Sequence, residues 1–200
     1  MIAAPPPCAV IFDLDGTLVD SRLDFATMRR EAGVPDDTGL LEHIAALECS
    51  LERRRVEAIV HRHEMAGAEA AEWIPGAEQA LRGLQERGLP MAIVTRNSRV
   101  AARLAMSRLA MPDMPLKARE DAPPKPDPTA LLALADDWQL PPARIAFVGD
   151  FHYDTEAARR AGMIPVLFTA GRQPPIPQAG LFVLTAFELL LDWVDRPGGA

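Results

Sequence analysis

The string Asp13-Leu14-Asp15-Gly16-Thr17 follows directly on the apolar run Cys8-Ala9-Val10-Ile11-Phe12. Two carboxylates two positions apart project the same way from an extended chain, and a glycine behind them lets the chain turn sharply. One carboxylate can then act as a nucleophile and the other as an acid–base group. A solvated turn is the plain alternative, disfavoured when the whole string sits at the end of a buried strand.

Three further polar clusters follow. Thr95-Arg96-Asn97-Ser98 closes an apolar run and opens a helical pattern. A hydroxyl and free backbone N–H groups there suit an anion, although Asn97 or Ser98 could equally serve as a simple helix N-cap. Lys125 lies between Pro124 and Pro126, which would hold its ammonium on a stiff loop where it can neutralise a phosphoryl oxygen. Taken alone, an exposed lysine reads as well. Gly149-Asp150-Phe151-His152-Tyr153-Asp154 directly follows the apolar run Ile145–Val148. Its carboxylates, with Asp13, offer the hard oxygen ligands that suit Mg²⁺, or else they cap the next helix.

The elements that must position these clusters are short apolar runs: Cys8–Phe12, Met91–Thr95, Ile145–Val148, Ile164–Phe168 and, more weakly, Leu181–Leu184. Helical patterns alternate with them, which predicts an α/β fold, a doubly wound parallel sheet of about five or six strands. The four clusters then share the carboxyl edge of the sheet, where open α/β sheets bind ligands. Asp127 with Pro128 reads as a helix start, and Thr185-Ala186-Phe187-Glu188 as a capping box before an apolar face of Phe187, Leu190, Leu191 and Val194. Gly88 and Gly162 read as helix ends.

The stretch from Leu23 to Trp73 has no strand-like run. Leu40, Leu41, Ile44, Leu47 and Leu51 recur at helical spacing, as do Val56, Ile59, Val60 and His63. Two or three helices are expected here, with Ile74-Pro75-Gly76 as a hinge back to the core. Residues 1–19 and 75–200 would form the core domain, and 20–74 a small α-helical cap inserted after the first strand. Pro5–Pro7 and Pro174–Pro177 read as stiff surface segments.

The 200 residues are 48% hydrophobic and 24% charged, ordinary globular composition. A net charge of -7 argues against general nucleic-acid binding, which needs a basic face. The two cysteines, Cys8 and Cys49, have no ligand-like spacing and read as reduced thiols. The start Met-Ile-Ala-Ala-Pro-Pro-Pro lacks the pattern of a signal peptide, and no apolar run approaches a membrane span. A soluble cytoplasmic protein is expected, and nothing in the sequence specifies an oligomeric state.

The order Asp-Leu-Asp-Gly-Thr, Thr95, Lys125-Pro126 and Gly-Asp-x-x-x-Asp resembles the haloacid dehalogenase superfamily of hydrolases. The chain is similar to its phosphoglycolate-phosphatase-like branch with a helical cap. Val10-Ile-Phe-Asp-Leu-Asp-Gly-Thr-Leu-Val-Asp-Ser21 is specific for it, and the resemblance covers nearly the whole chain. It implies a Mg²⁺-dependent phosphatase for a small phosphorylated metabolite: an organic acid, a sugar phosphate or a nucleotide. By that resemblance Asp13 attacks phosphorus and carries an aspartyl-phosphate, and Asp15 protonates the leaving oxygen and then activates water. Asp13, the Asp15 carbonyl and Asp150 would hold the metal with support from Asp154. Thr95 and Lys125, with Arg96 and Asn97, would bind phosphoryl oxygens. A carbon–halogen bond would not need Asp15 as an acid, which separates this reading from a dehalogenase.

The chain departs from the pattern at Phe151, where a small hydroxyl residue is common, and at Arg96, which intervenes between Thr95 and Asn97. The cap is also shorter than usual. These departures bear on the substrate rather than on phosphoryl chemistry. A sugar-phosphate mutase on the same scaffold is one alternative, and a non-catalytic binding protein another; the latter would be expected to lose Asp13 or Asp15. His61 and His63 point to different sides of a helix and do not read as shared metal ligands. His152 could touch substrate, and one of Arg53, Arg54 and Arg55 could reach a substrate carboxylate or second phosphate. A solvated helix face is the alternative for those three.

Overall fold

The computed structural model describes residues 5–35, 38–172 and 181–196. Pro174–Pro177 lie outside the described residues. In chain order the strands are β1 (Ala9–Phe12), β2 (Val19–Asp20), β3 (Glu72–Trp73), β4 (Met91–Val94), β5 (Leu116–Lys117), β6 (Ile145–Gly149), β7 (Ile164–Phe168) and β8 (Phe182–Leu184). The helices are α1 (Phe25–Ala32), α2 (Leu40–Ala46), α3 (Ser50–Glu69), α4 (Ala77–Glu86), α5 (Arg99–Arg108), α6 (Thr129–Trp138), α7 (His152–Ala161) and α8 (Glu188–Val194).

Six strands form one parallel sheet in the order β5-β4-β1-β6-β7-β8. Every residue of β1, β4 and β6 is buried, because helices cover both faces of the sheet. Alternate residues of β1 face opposite layers. Val10 and Phe12 join a cluster with α4, α5 and α8 that includes Leu81, Ala102 and Trp193. Ala9 and Ile11 join one with α6 and α7 that includes Leu131 and Ala158. The strand order reverses direction between β1 and β6, which opens a crevice at their carboxyl ends. The expected doubly wound α/β fold is the fold observed.

Local details differ from the sequence reading. Helix α6 begins at Thr129 rather than Pro128, yet the Asp127 carboxylate still accepts the Thr129 N–H at 2.9 Å. The Thr185 capping box does not form: α8 begins at Glu188 behind Phe187, and backbone carbonyls of Ala186 and Phe187 take its first N–H groups. Glycines 88 and 162 do close α4 and α7 in left-handed conformations. Strand β5, two residues long, gave too short an apolar run to be read.

Between β2 and β3 the chain leaves the sheet layer and returns. These two strands pair antiparallel, Val19 opposite Trp73, and the Ile74 N–H donates to the Leu18 carbonyl at 3.0 Å. The ribbon was not anticipated; it makes a narrow neck. Beyond it α1, α2 and α3 enclose an apolar cluster of their own, Met28, Ala32, Val34, Leu40, Val56 and Val60. The chain extends at Leu47 between α2 and α3, so Leu51 starts a new helix and is 71% exposed instead of continuing the Leu40 stripe. Among the described residues no helix is long and apolar enough to cross a membrane.

Candidate active site

Strand β1 ends by delivering Asp13, whose N–H donates to the Val148 carbonyl of β6 at 2.8 Å. This ties the first acidic string to the strand that delivers Asp150. Gly16 turns the chain at φ +81°, and a Cβ there would lie 2.4 Å from Asp150 Oδ2. The glycine thus provides both the left-handed turn and the close approach of a carboxylate. Thr17 is fully buried and donates its hydroxyl to Asp150 Oδ1 at 3.4 Å.

Lys125 is 3% exposed. Its Nζ lies 2.7 Å from Asp13 Oδ1 and 2.7 Å from Asp154 Oδ1, and donates to the Val94 carbonyl at 3.0 Å. The ammonium thus sits between two carboxylates and a backbone carbonyl. Burial alone would lower the Lys125 pKa, but the two carboxylates outweigh it and hold the group above its usual value. Burial raises the Asp13 pKa well above its usual value; Lys125 opposes this while Asp154 and Asp150 add to it. The second Asp154 oxygen accepts the Phe151 N–H at 3.0 Å, so Asp154 fixes both Lys125 and the start of α7. Phe151 cannot cap α7 with its own side chain; its ring instead lies against His152 and Tyr153.

Asp15 is held by Ser21, whose hydroxyl donates to Oδ1 at 2.5 Å, and by Asn97, whose amide donates to Oδ2 at 3.0 Å. Burial raises its pKa, and these two hydrogen bonds oppose the rise. Thr95 is buried at the end of β4, and its Oγ1 accepts the Asn97 N–H at 3.0 Å. The sequence places Arg96 and Asn97 beside Thr95 as phosphate-binding residues; in the structure their side chains have other partners. Asn97 orients Asp15. One Arg96 nitrogen lies 2.7 and 2.8 Å from the two Glu42 oxygens, another donates to the Lys125 carbonyl, and the guanidinium sits 4.3 Å over the Tyr153 ring. Arg96 therefore links α2 to the sheet layer.

Asp13, Asp15, Thr95, Lys125, Asp150 and Asp154 all border one cavity of about 530 Å³, roofed by α1, α2 and α3. Oxygens of Asp13, Asp150 and Asp154 lie within 4.8 Å of one another. Three clustered carboxylates at a glycine-lined strand end fit a divalent cation. Burial and the neighbouring Asp154 push the Asp150 pKa up to about 6, the signature of negative charge awaiting a counter-ion.

The pH dependence follows. A carboxylate whose folded pKa lies above its unfolded value costs stability once ionised. The metal-free protein should lose stability as pH rises from about 4 to about 6, the span between the usual and the raised Asp150 pKa. Because the cation needs the ionised form, its affinity should fall below about pH 6. Melting curves across this range, with and without divalent cation, read both trends. Gly149 makes a second check possible. A Cβ there would meet Asp154 Cβ at 2.3 Å, so Gly149→Ala should cost about 1–3 kcal/mol in denaturant melts and displace the partner of Lys125.

Several residues at the site escaped the sequence reading. Ser21 and Thr17 were legible only as parts of a string. Glu64 of α3, 5% exposed, receives the Arg119 guanidinium at 2.5 Å across the interface between helical roof and core. Burial raises its pKa and Arg119 opposes the rise. Its signal was present: Glu64 continues the buried stripe of Val56 and Val60 at intervals of four, an acid where the helix should be apolar. Arg53, Arg54 and Arg55 are exposed, and Arg53 and Arg55 donate to backbone carbonyls of Leu47 and Glu31. His63 pairs with Glu31 at 3.2 Å while His61 is exposed, so the two share no ligand position. Cys8 and Cys49 are free thiols.

This arrangement has counterparts in known proteins. The haloacid dehalogenase-like hydrolase family model matches residues 9–162. A phosphoglycolate phosphatase of Rhodospirillum rubrum is 30% identical over 96% of this chain and 94% of its own. A haloacid dehalogenase-like hydrolase domain-containing protein of Arabidopsis thaliana is 28% identical over 83% of this chain and 73% of its own. The crystal structure of a hydrolase from Pseudomonas syringae, 22% identical, shares the fold with a TM-score of 0.76 over 96% of this chain and 99% of that one. With the family match spanning every strand and cluster that builds the cavity, the chain belongs to the haloacid dehalogenase-like hydrolases.

Proposed function

We propose that the protein is a Mg²⁺-dependent phosphatase that hydrolyses a small phosphorylated metabolite through an aspartyl-phosphate on Asp13. The observation that carries this reading is the convergence of Asp13, Asp15 and Lys125 on one cavity. Asp13 Oδ1 is occupied by Lys125 and by the Leu14 N–H at 2.7 Å, which orients the carboxylate and leaves Oδ2 as the attacking atom. Asp15, with its raised pKa, can hold a proton for the leaving oxygen and take one from water in the second step. Thr95 is assigned to the phosphoryl oxygens, and Lys125, held between Asp13 and Asp154, positions the nucleophile beside them.

Electrostatics decides what else is needed. Two like unit charges 4 Å apart repel by about 4 kcal/mol at an effective dielectric of 20, and a phosphoryl dianion facing Asp13 doubles that. Lys125 already balances Asp13 and Asp154, so it cannot also neutralise the substrate. Asp13, Asp150 and the Asp15 carbonyl, supported by Asp154, would hold Mg²⁺. Bound there, the ion supplies the positive charge that the phosphoryl group lacks.

Residues 20–74 are proposed as a cap over a core of 1–19 and 75–200, with the β2–β3 ribbon as the neck. Likeness to phosphoglycolate phosphatase supports a small phosphorylated acid as substrate. The test is hydrolysis of an aryl phosphate and then of a panel of phosphorylated acids, sugars and nucleotides, with Mg²⁺ and with chelator. Mg²⁺-dependent release of phosphate is expected. No turnover across the panel would overturn the reading, and phosphoryl return to a sugar phosphate would replace it with a mutase.

A further inference from the structure

The cavity is lined by three long cations, Lys125, Arg96 and Arg29. Lys125 has its charge balanced by two carboxylates. Arg96 is held by Glu42, the Lys125 carbonyl and the Tyr153 ring. Arg29, on α1, is different. Its Nη2 makes one long bond, 3.4 Å to the Thr38 carbonyl, and its Nε is buried with no partner. Among the described residues no carboxylate pairs with it. A guanidinium offers five donors, and a buried one left without a partner is destabilising.

The surrounding wall is mostly apolar, and from the roof only Arg29, Thr38 and Glu64 bring polar side chains to it. Glu64 is an acid and gives Oε1 to Arg119 while Oε2 is buried without a partner, so it offers a substrate no cation. A sugar ring or a ribose would leave several hydroxyls against apolar surface, whereas one small acid needs a single cation. We infer that Arg29 is a specificity-determining residue that binds the carboxylate of a short phosphorylated carboxylic acid while its phosphoryl group lies at Asp13. The arginine fork matches a carboxylate in two parallel hydrogen bonds, filling the donors that α1 leaves open. This inference rests on the phosphatase reading and adds to it the residue that selects the acid. It also moves the expected carboxylate contact from Arg53, Arg54 and Arg55 to Arg29.

The test is calorimetric titration of the Mg²⁺-loaded protein with two unreactive phosphonates of equal length, phosphonopropanoate and propylphosphonate. Wild type should prefer the carboxylate-bearing probe by about 10- to 100-fold, the range of a charged hydrogen-bonded pair. Arg29→Met should abolish that preference and leave propylphosphonate affinity unchanged, and Arg29→Lys should retain part of it. Equal wild-type affinity for the two probes, no binding of either, or equal weakening of both by Arg29→Met would overturn the inference. Aryl phosphate turnover reads the phosphatase chemistry separately. Turnover without carboxylate preference removes the Arg29 role alone, and absence of turnover across the panel removes the reading beneath it.

Discussion

Asp13→Asn should reduce phosphate release by about 10⁴-fold or more, the scale seen when a covalent nucleophile is removed from an assembled site. An amide nitrogen or oxygen in that place cannot carry the phosphoryl group, and Asp154, the other carboxylate beside Lys125, is tied to the start of α7 by the Phe151 N–H. The fold should not suffer. Asp13, Asp150 and Asp154 repel one another, and burial makes their ionised forms costly. Asparagine removes one of these charges and leaves Lys125 paired with Asp154. The metal-free variant should therefore melt at the wild-type temperature or a few degrees above it, since about 1 kcal/mol corresponds to about 2–4 °C for a domain of this size. A variant that loses activity and stability together would mark Asp13 as structural.

Lys125→Met should do the opposite to stability. It strips the cation from Asp13 and Asp154, both buried in the cluster, and breaking a buried pair from one side costs about 3–5 kcal/mol. Turnover should fall by about 10³-fold, as for loss of a preorganised charge beside the reacting group. The two losses can be separated. In Lys125→Met with Asp154→Asn one orphaned carboxylate is gone, so denaturant melts should recover part of the stability while turnover stays low. If turnover recovers along with stability, Lys125 supports the fold and not the chemistry.

These expectations rest on residues of unequal legibility. Asp13 and Asp150 could be read because each follows a buried strand, and Asp15 because it stands two positions beyond Asp13 in the same string; a carboxylate at the end of a buried strand has few structural reasons to be there. The parallel sheet with helices on both faces followed from alternation of strands and helices, whereas its strand order and the short β5 did not. Pairings across long sequence distances could not be read. Lys125 meets Asp154 through a loop, and Arg96 meets Glu42 through the roof. Neither has a local periodicity, so Arg96 looked available for phosphate when it serves as a strut. Leu51 misled for a related reason: its spacing fitted the Leu40 stripe, but the break at Leu47 reset the helical phase. Arg29 carries no motif, and only the cavity shows that among the described residues no carboxylate pairs with it.

The central claim is that phosphate passes through Asp13. It is tested most directly by quenching the protein with acid during steady turnover of an aryl phosphate in Mg²⁺, reducing with borohydride and sequencing the peptides by mass spectrometry. An acyl phosphate is reduced to an alcohol, so homoserine at position 13 is predicted, absent without substrate and absent in Asp13→Asn. Turnover with no homoserine at position 13, or with the label on another residue, would contradict the account.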